Sequence, residues 1–130
     1  MIELIKGQAI KMFTYNFEKL EVWKLSLKIN DESLKLLKKL PSSEKCVLRD
    51  QLRRALLSIC LNIAEGSGRG SKKDFGRFVR NSIGSTLEVI ACFRMAVRQK
   101  YLDENECETI NALLKETYFK LIKLSKYLQK

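Results

Sequence analysis

The chain has 130 residues, with 25 Lys and Arg against 15 Asp and Glu, no His, one Pro, six Gly and four Cys. That length fits one domain, and an apolar content of 45% excludes a disordered chain. So few Gly and Pro exclude a loop-rich all-β protein, and the lack of His removes the commonest general base and the commonest metal ligand.

Residues 1–16 read as an N-terminal extension, with Met12 as a natural start, and residues 17–130 as the folded domain. The segment from Met1 to Lys11 is too short and too weakly apolar for a secretory signal. No apolar run approaches the roughly 20 residues that span a bilayer, so a soluble, cytoplasmic protein without membrane contact is expected. A first helix is predicted from about Glu18 to Lys39, with Leu20, Trp23, Leu27, Leu34 and Leu37 at helical spacing. It stops before Pro41, because a residue preceding proline is pushed out of the α region. Ser42 or Ser43 caps a second helix, which runs to about Glu65 and is ended by Gly66.

A third helix starts at Ser71, where Ser71 and Asp74 have the spacing of a capping box, and continues to about Gln99. Asp103 and Glu106 make a second cap-like start, leading a fourth helix to about Leu128. No alternating strand pattern competes. The expected fold is all-α, an antiparallel up-down-up-down four-helix bundle. Cys46, Cys60, Cys92 and Cys107 lie too far apart in sequence for a zinc ribbon or a CxxC redox pair, and are read as buried or inert reduced thiols.

The middle helices carry a surplus of apolar residues. Eight of the ten residues from Ala55 to Ala64 are apolar. The third helix has one stripe at Phe75, Val79, Ile83, Leu87, Ile90 and Val97, and a second at Phe78, Val89, Cys92 and Ala96. A helix apolar almost all round is buried almost all round, so the surplus points to self-association through these two helices. A wide but ordinary core is the plainer reading.

The charge is uneven as well. All eight arginines, Arg49, Arg53, Arg54, Arg69, Arg77, Arg80, Arg94 and Arg98, fall within residues 49–98. From residue 49 to 100 there are 11 basic and 4 acidic side chains, a net of +7, whereas five lysines balance five acids from residue 103 onward. Arginine suits bidentate phosphate contact. Arg49 with Arg53, Lys73 with Arg77 and Arg80, and Arg94 with Arg98 each share a helix face. Repeated in an oligomer, such faces would track a phosphate backbone through electrostatics, without a base-reading motif. Solubility and pairing with acids of neighbouring subunits form the competing reading.

The run from Gly66 to Lys73, with Arg69, Lys72 and Lys73, sets flexible backbone and cations before a helix start, where a phosphate would be favoured. Its spacing is not that of a Walker A loop, and a glycine cap with a flexible link is the favoured reading, the anion site the lesser one. Ser58, Asn62 and Glu65 recur at i, i+4 and i+7, and Asn81, Ser85 and Glu88 repeat that spacing on the next helix. Two such stripes could satisfy one another as a buried polar network. A metal-dependent nuclease built on Glu65 and Glu88 is the weaker alternative, since two carboxylates are few for a metal site. No metal and no cofactor are expected.

Phe17, Leu20-Glu-Val-Trp23, Pro41, Leu48, Gln51-Leu-Arg-Arg-Ala55 and the run Ser58-Ile-Cys-Leu-Asn-Ile-Ala-Glu-Gly66 carry a family pattern. Phe75, Phe78, Gly84-Ser85, Glu88 and Tyr101-Leu102 complete it. In these residues the chain resembles the bacterial 23S rRNA intervening-sequence proteins, a four-helix-bundle family that includes accessory proteins of diversity-generating retroelements. The resemblance covers about residues 17–128 and implies a ring-like homo-oligomer, usually a pentamer, with a basic surface and no assigned enzymatic activity. It further implies nucleic acid, RNA or DNA, as a partner and, for the retroelement branch, a reverse transcriptase. The expected function is therefore non-enzymatic nucleic-acid binding through Arg49, Arg53, Arg54, Arg69, Lys72, Lys73, Arg77, Arg80, Arg94 and Arg98. A module that docks a nucleic-acid-processing protein, without affinity for the nucleic acid itself, is the alternative.

Overall fold

The computed structural model describes residues 12–43 and 47–130, together with the backbone of residues 3–5 and 8–10. Four helices account for most of it: α1 (Glu21–Leu37), α2 (Val47–Ser67), α3 (Lys72–Arg98) and α4 (Glu108–Leu128). A 3-10 turn at Asn16–Lys19 precedes α1. Two short strands, β1 (Glu3–Ile5) and β2 (Gln8–Ile10), pair antiparallel with Glu3 opposite Ile10. No strand was expected there. Three-residue strands are too short to leave a period-2 pattern, and an isolated hairpin is marginal in water.

The helix ends follow local chemistry. α1 begins at Glu21 rather than Glu18, because Glu18 turns back to accept from the Tyr15 N–H at 2.8 Å and Leu20 is extended (φ −69°, ψ 133°). The cap expected at Ser42 or Ser43 adjoins residues 44–46, outside the described residues, and Cys46 lies outside them too. Gly66 does not end α2, which runs through it to Ser67. The left-handed glycine is instead Gly70, at φ +83°. Ser71 caps α3 as expected, accepting from the Asp74 N–H at 3.1 Å.

Asp103 and Glu106 exchange two bonds, Asp103 N–H to Glu106 at 3.1 Å and Glu106 N–H to Asp103 at 2.7 Å, as a capping box does. They close a turn, and α4 begins only at Glu108.

α3 ends with Lys100 in the left-handed region (φ 65°), while the Tyr101 N–H bonds to the Ala96 carbonyl at 3.0 Å. This 6→1 closure normally has glycine at its left-handed position. Lysine there clashes through its Cβ, so Lys100→Gly should raise stability by about 1 kcal/mol. An upward shift of the urea midpoint at constant slope would show it; a downward shift would mean the lysine stem is packed.

α2 packs along α3, α3 along α4, and α1 closes the layer against α4 and α2. The core holds Ile29, Leu52, Ile59, Ile63, Val79, Val89, Phe93, Ile110, Leu114 and Leu121, each at most 1% exposed. One expected stripe needs correction. On α1 the core side is Val22, Leu25, Ile29 and Leu37, while Leu27 and Leu34 are 42% and 44% exposed. On α3 the second stripe, with Val79 and Phe93, enters the core, and Leu87 from the first is exposed.

Cys60, Cys92 and Cys107 are free and buried, and burial pushes all three thiols above their ordinary pKa. They stay protonated and poorly nucleophilic at neutral pH.

Candidate nucleic-acid interface

The polar stripes meet along the α2–α3 seam. Ser58 and Ser85 hydroxyls lie 2.7 Å apart. The Asn62 amide donates to the Ser58 carbonyl at 2.8 Å and to its hydroxyl at 3.0 Å, and the Asn81 amide reaches the Asn62 oxygen at 3.4 Å. Contacts therefore join 58 to 85 and 62 to 81, so partner numbers fall along α3 as they rise along α2. The same opposition separates the two carboxylates. Glu88 accepts from the Gln51 amide at 3.1 Å, and Glu65 pairs with Arg69 at 2.9 Å.

Gln51 and Glu65 are 14 residues apart, about 21 Å along the axis. Glu65 and Glu88 thus belong to neither the shared network nor a two-carboxylate centre. Among the described residues no group of three or more His, Cys, Asp or Glu side chains is placed to hold a metal ion. The remaining four residues are half-buried or exposed rather than buried. Ser82, fully buried, is the deep polar tie between these helices, donating to the Ile59 carbonyl at 2.9 Å. Ser82 falls outside the i, i+4, i+7 spacing of Asn81, Ser85 and Glu88, so that spacing gave no signal for its role.

The ten candidate cations do not make one face. Arg69, Lys72, Lys73, Arg77 and Arg80 gather where α2 turns into α3, and Arg49, Arg53, Arg54, Arg94 and Arg98 gather at the opposite end of that pair. Arg80 and Arg94 are about 21 Å apart along α3. The stretch between holds no basic residue on either helix and exposes Leu57, Leu61 and Leu87 at 57%, 59% and 47%.

All ten cations are exposed except Arg49, which is half-buried. Arg69 and Arg77 alone enter ion pairs among the described residues, Arg77 with Asp74 at 3.9 Å. Their guanidiniums also flank the Phe78 ring, 4.8 and 4.7 Å from its centroid. Arg94 donates to the Asn111 side chain at 2.9 Å. Lys130 joins the first group because the end of α4 meets the start of α3. It was missed because only the closing of the bundle brings it there.

No helix among the described residues is long and apolar enough to cross a membrane. No curated protein matches the chain. A solved structure with the same fold is that of a protein with unknown function from the S23 ribosomal protein family of Bacteroides thetaiotaomicron VPI-5482. It is 26% identical at a TM-score of 0.73, over 81% of this chain and 98% of that one. The model of the 23S rRNA-intervening sequence proteins matches residues 18–123, the span that runs from the 3-10 turn through most of α4. With motif residues, fold and family model in agreement over that span, the chain belongs to the 23S rRNA-intervening sequence protein family.

Proposed function

We propose that this protein is a non-enzymatic nucleic-acid-binding component, built as an antiparallel up-down-up-down bundle that assembles into a ring-like homo-oligomer. The observation that carries the reading is the set of ten cations on α2, α3 and the link between them, nine of them exposed and eight without an ion pair among the described residues. Crowded like charges destabilise a fold by self-repulsion, and a polyanion relieves them. Two clusters separated by a band without basic residues suit a ring in which Leu57, Leu61 and Leu87 meet neighbouring copies. The clusters then form two basic rims around the apolar contact.

Binding of this kind is read from its salt dependence. Affinity for a structured RNA should fall steeply with log salt, by about 0.7 to 0.9 in slope per phosphate engaged. Arg53→Glu with Arg98→Glu should lower that slope by about 2 and leave the thermal unfolding midpoint unchanged. Unchanged affinity in a folded double variant would remove the second cluster from the interface. Negligible binding of the unaltered protein at low salt would overturn the proposal and leave a protein partner, such as a reverse transcriptase, as the better reading.

A further inference from the structure

At the end of the bundle where α3 begins and α4 finishes there is a concavity of about 570 Å³. Lys72, Lys73 and Arg80 wall it from α3, Leu128 and Lys130 wall it from the end of α4, and Gly76 lies between them. Positions 73, 76 and 80 fall at helical spacing, which puts these side chains on one flank of the first turns of α3.

Gly76 sets the shape. A Cβ there would stand 3.3 Å from Arg80 Nη1 and 3.6 Å from Leu128 Cβ, so the guanidinium lies against bare backbone. The Lys72 ammonium is held at the rim, 4.8 Å from the centre of the Tyr127 ring. None of Lys72, Lys73, Arg80 and Lys130 enters an ion pair among the described residues. The neighbouring carboxylate, Asp74, is engaged by Arg77. Four cations thus converge on one hollow whose lining includes no Asp or Glu side chain, and a small anion held between them would offset their repulsion.

We propose that this concavity is a phosphate-binding subsite, resting on the nucleic-acid reading above and giving that interface a defined seat for one phosphate group of a strand. Arg80 supplies the two-pronged donor, Lys73 and Lys130 supply point charges, and Lys72 guards the rim. The volume exceeds what a phosphate needs, and the apolar wall of Gly76 and Leu128 accommodates the attached sugar. The phosphate is either an internal diester or the monoester at a strand end, since both present the same acceptor oxygens.

The test acylates the full chain under limiting reagent, with and without inorganic phosphate at constant ionic strength, and follows each lysine by mass spectrometry. Lys73 and Lys130 should react at least about threefold more slowly with phosphate present, while exposed Lys28 and Lys115 are unaffected. Arg80→Gln, which removes the two-pronged donor from an exposed position on α3, should remove most of that protection. Equal rates with and without phosphate, or protection spread evenly over all four lysines, would overturn the subsite.

A second arm compares 5′-phosphorylated and 5′-hydroxyl single-stranded oligonucleotides on the unaltered protein and on Lys73→Gln with Lys130→Gln. Equal loss for both strands supports an internal diester; loss confined to the phosphorylated strand supports a strand end. Protection by inorganic phosphate without any oligonucleotide binding would keep the anion site and overturn its assignment to nucleic acid.

Discussion

Phe93→Ala should cost about 3–5 kcal/mol of folding free energy, a large share of the 5–15 kcal/mol that holds a typical domain. Phe93 is 0% exposed and heads the largest fully buried side chains. Removing its ring deletes apolar burial and leaves a cavity that neighbours on the same helix, Val89 and Ala96, are held too rigidly by backbone to fill. The urea midpoint should drop sharply at an unchanged slope. Phe119, 59% exposed on α4, provides the contrast: Phe119→Ala should move stability by no more than about 0.5 kcal/mol in the isolated chain. A loss at Phe119 comparable to that at Phe93 would mean that another molecule covers α4 in solution. A small loss at Phe93 would mean that the core repacks freely, against the close packing described here.

Gly66→Ala is expected to be nearly as damaging, at about 3 kcal/mol, although alanine is the better helix former. The added Cβ would lie 2.5 Å from Phe78 Cβ and 3.1 Å from Phe75 Cδ1. The first of these contacts joins two atoms fixed by backbone, so no rotamer change relieves it, and α2 and α3 must part beside their connection. Gly84→Ala should do the opposite. Nothing lies within 4 Å of a Cβ at Gly84, which is exposed in the middle of α3, so alanine there should add up to about 1 kcal/mol. Thermal melts of the two variants side by side read out the difference in sign. A harmless Gly66→Ala would refute the close approach of α2 to α3.

The reason the sequence misled at Gly66 is that a glycine after a long apolar run has two meanings, a left-handed helix end or a place where another helix comes near. Only the position of Phe78 decides between them. α1 misled for a related reason. Its core side carries two serines: Ser26 donates to the Trp23 carbonyl at 2.6 Å, and Ser33 is fully buried. Their polarity hid the buried side, and the exposed Leu27 and Leu34 drew the pattern to the wrong one.

Where a signal depended on local geometry it was legible. The Ser71 cap and the Asp103–Glu106 exchange need only residues three apart, and both formed. The polar pairs 58 with 85 and 62 with 81 were also within reach, because opposed helices bring equal spacings into register. Continued along the two helices, the same register sets Glu65 and Glu88 apart. The arginines were legible as a composition but not as two clusters, since the spacing between clusters appears only when a helix is given its length.

The connection between α2 and α3, residues 68–71, has a consequence for how the chain finds its fold. The most extensive helix pairing is made across this short link, whereas α1 meets α4 through pairs such as Glu21 with Lys120, 99 residues apart. Closing a short loop costs little chain entropy, and closing the outer one costs more. The α2–α3 hairpin is therefore the natural nucleus, formed while α1 and α4 are still unattached. Folding should slow when that hairpin is weakened, and unfolding should quicken when the α1–α4 contact is. Under native conditions amide protons of α2 and α3 should be the last to exchange, leaving the outer pair as the part of the molecule that opens first.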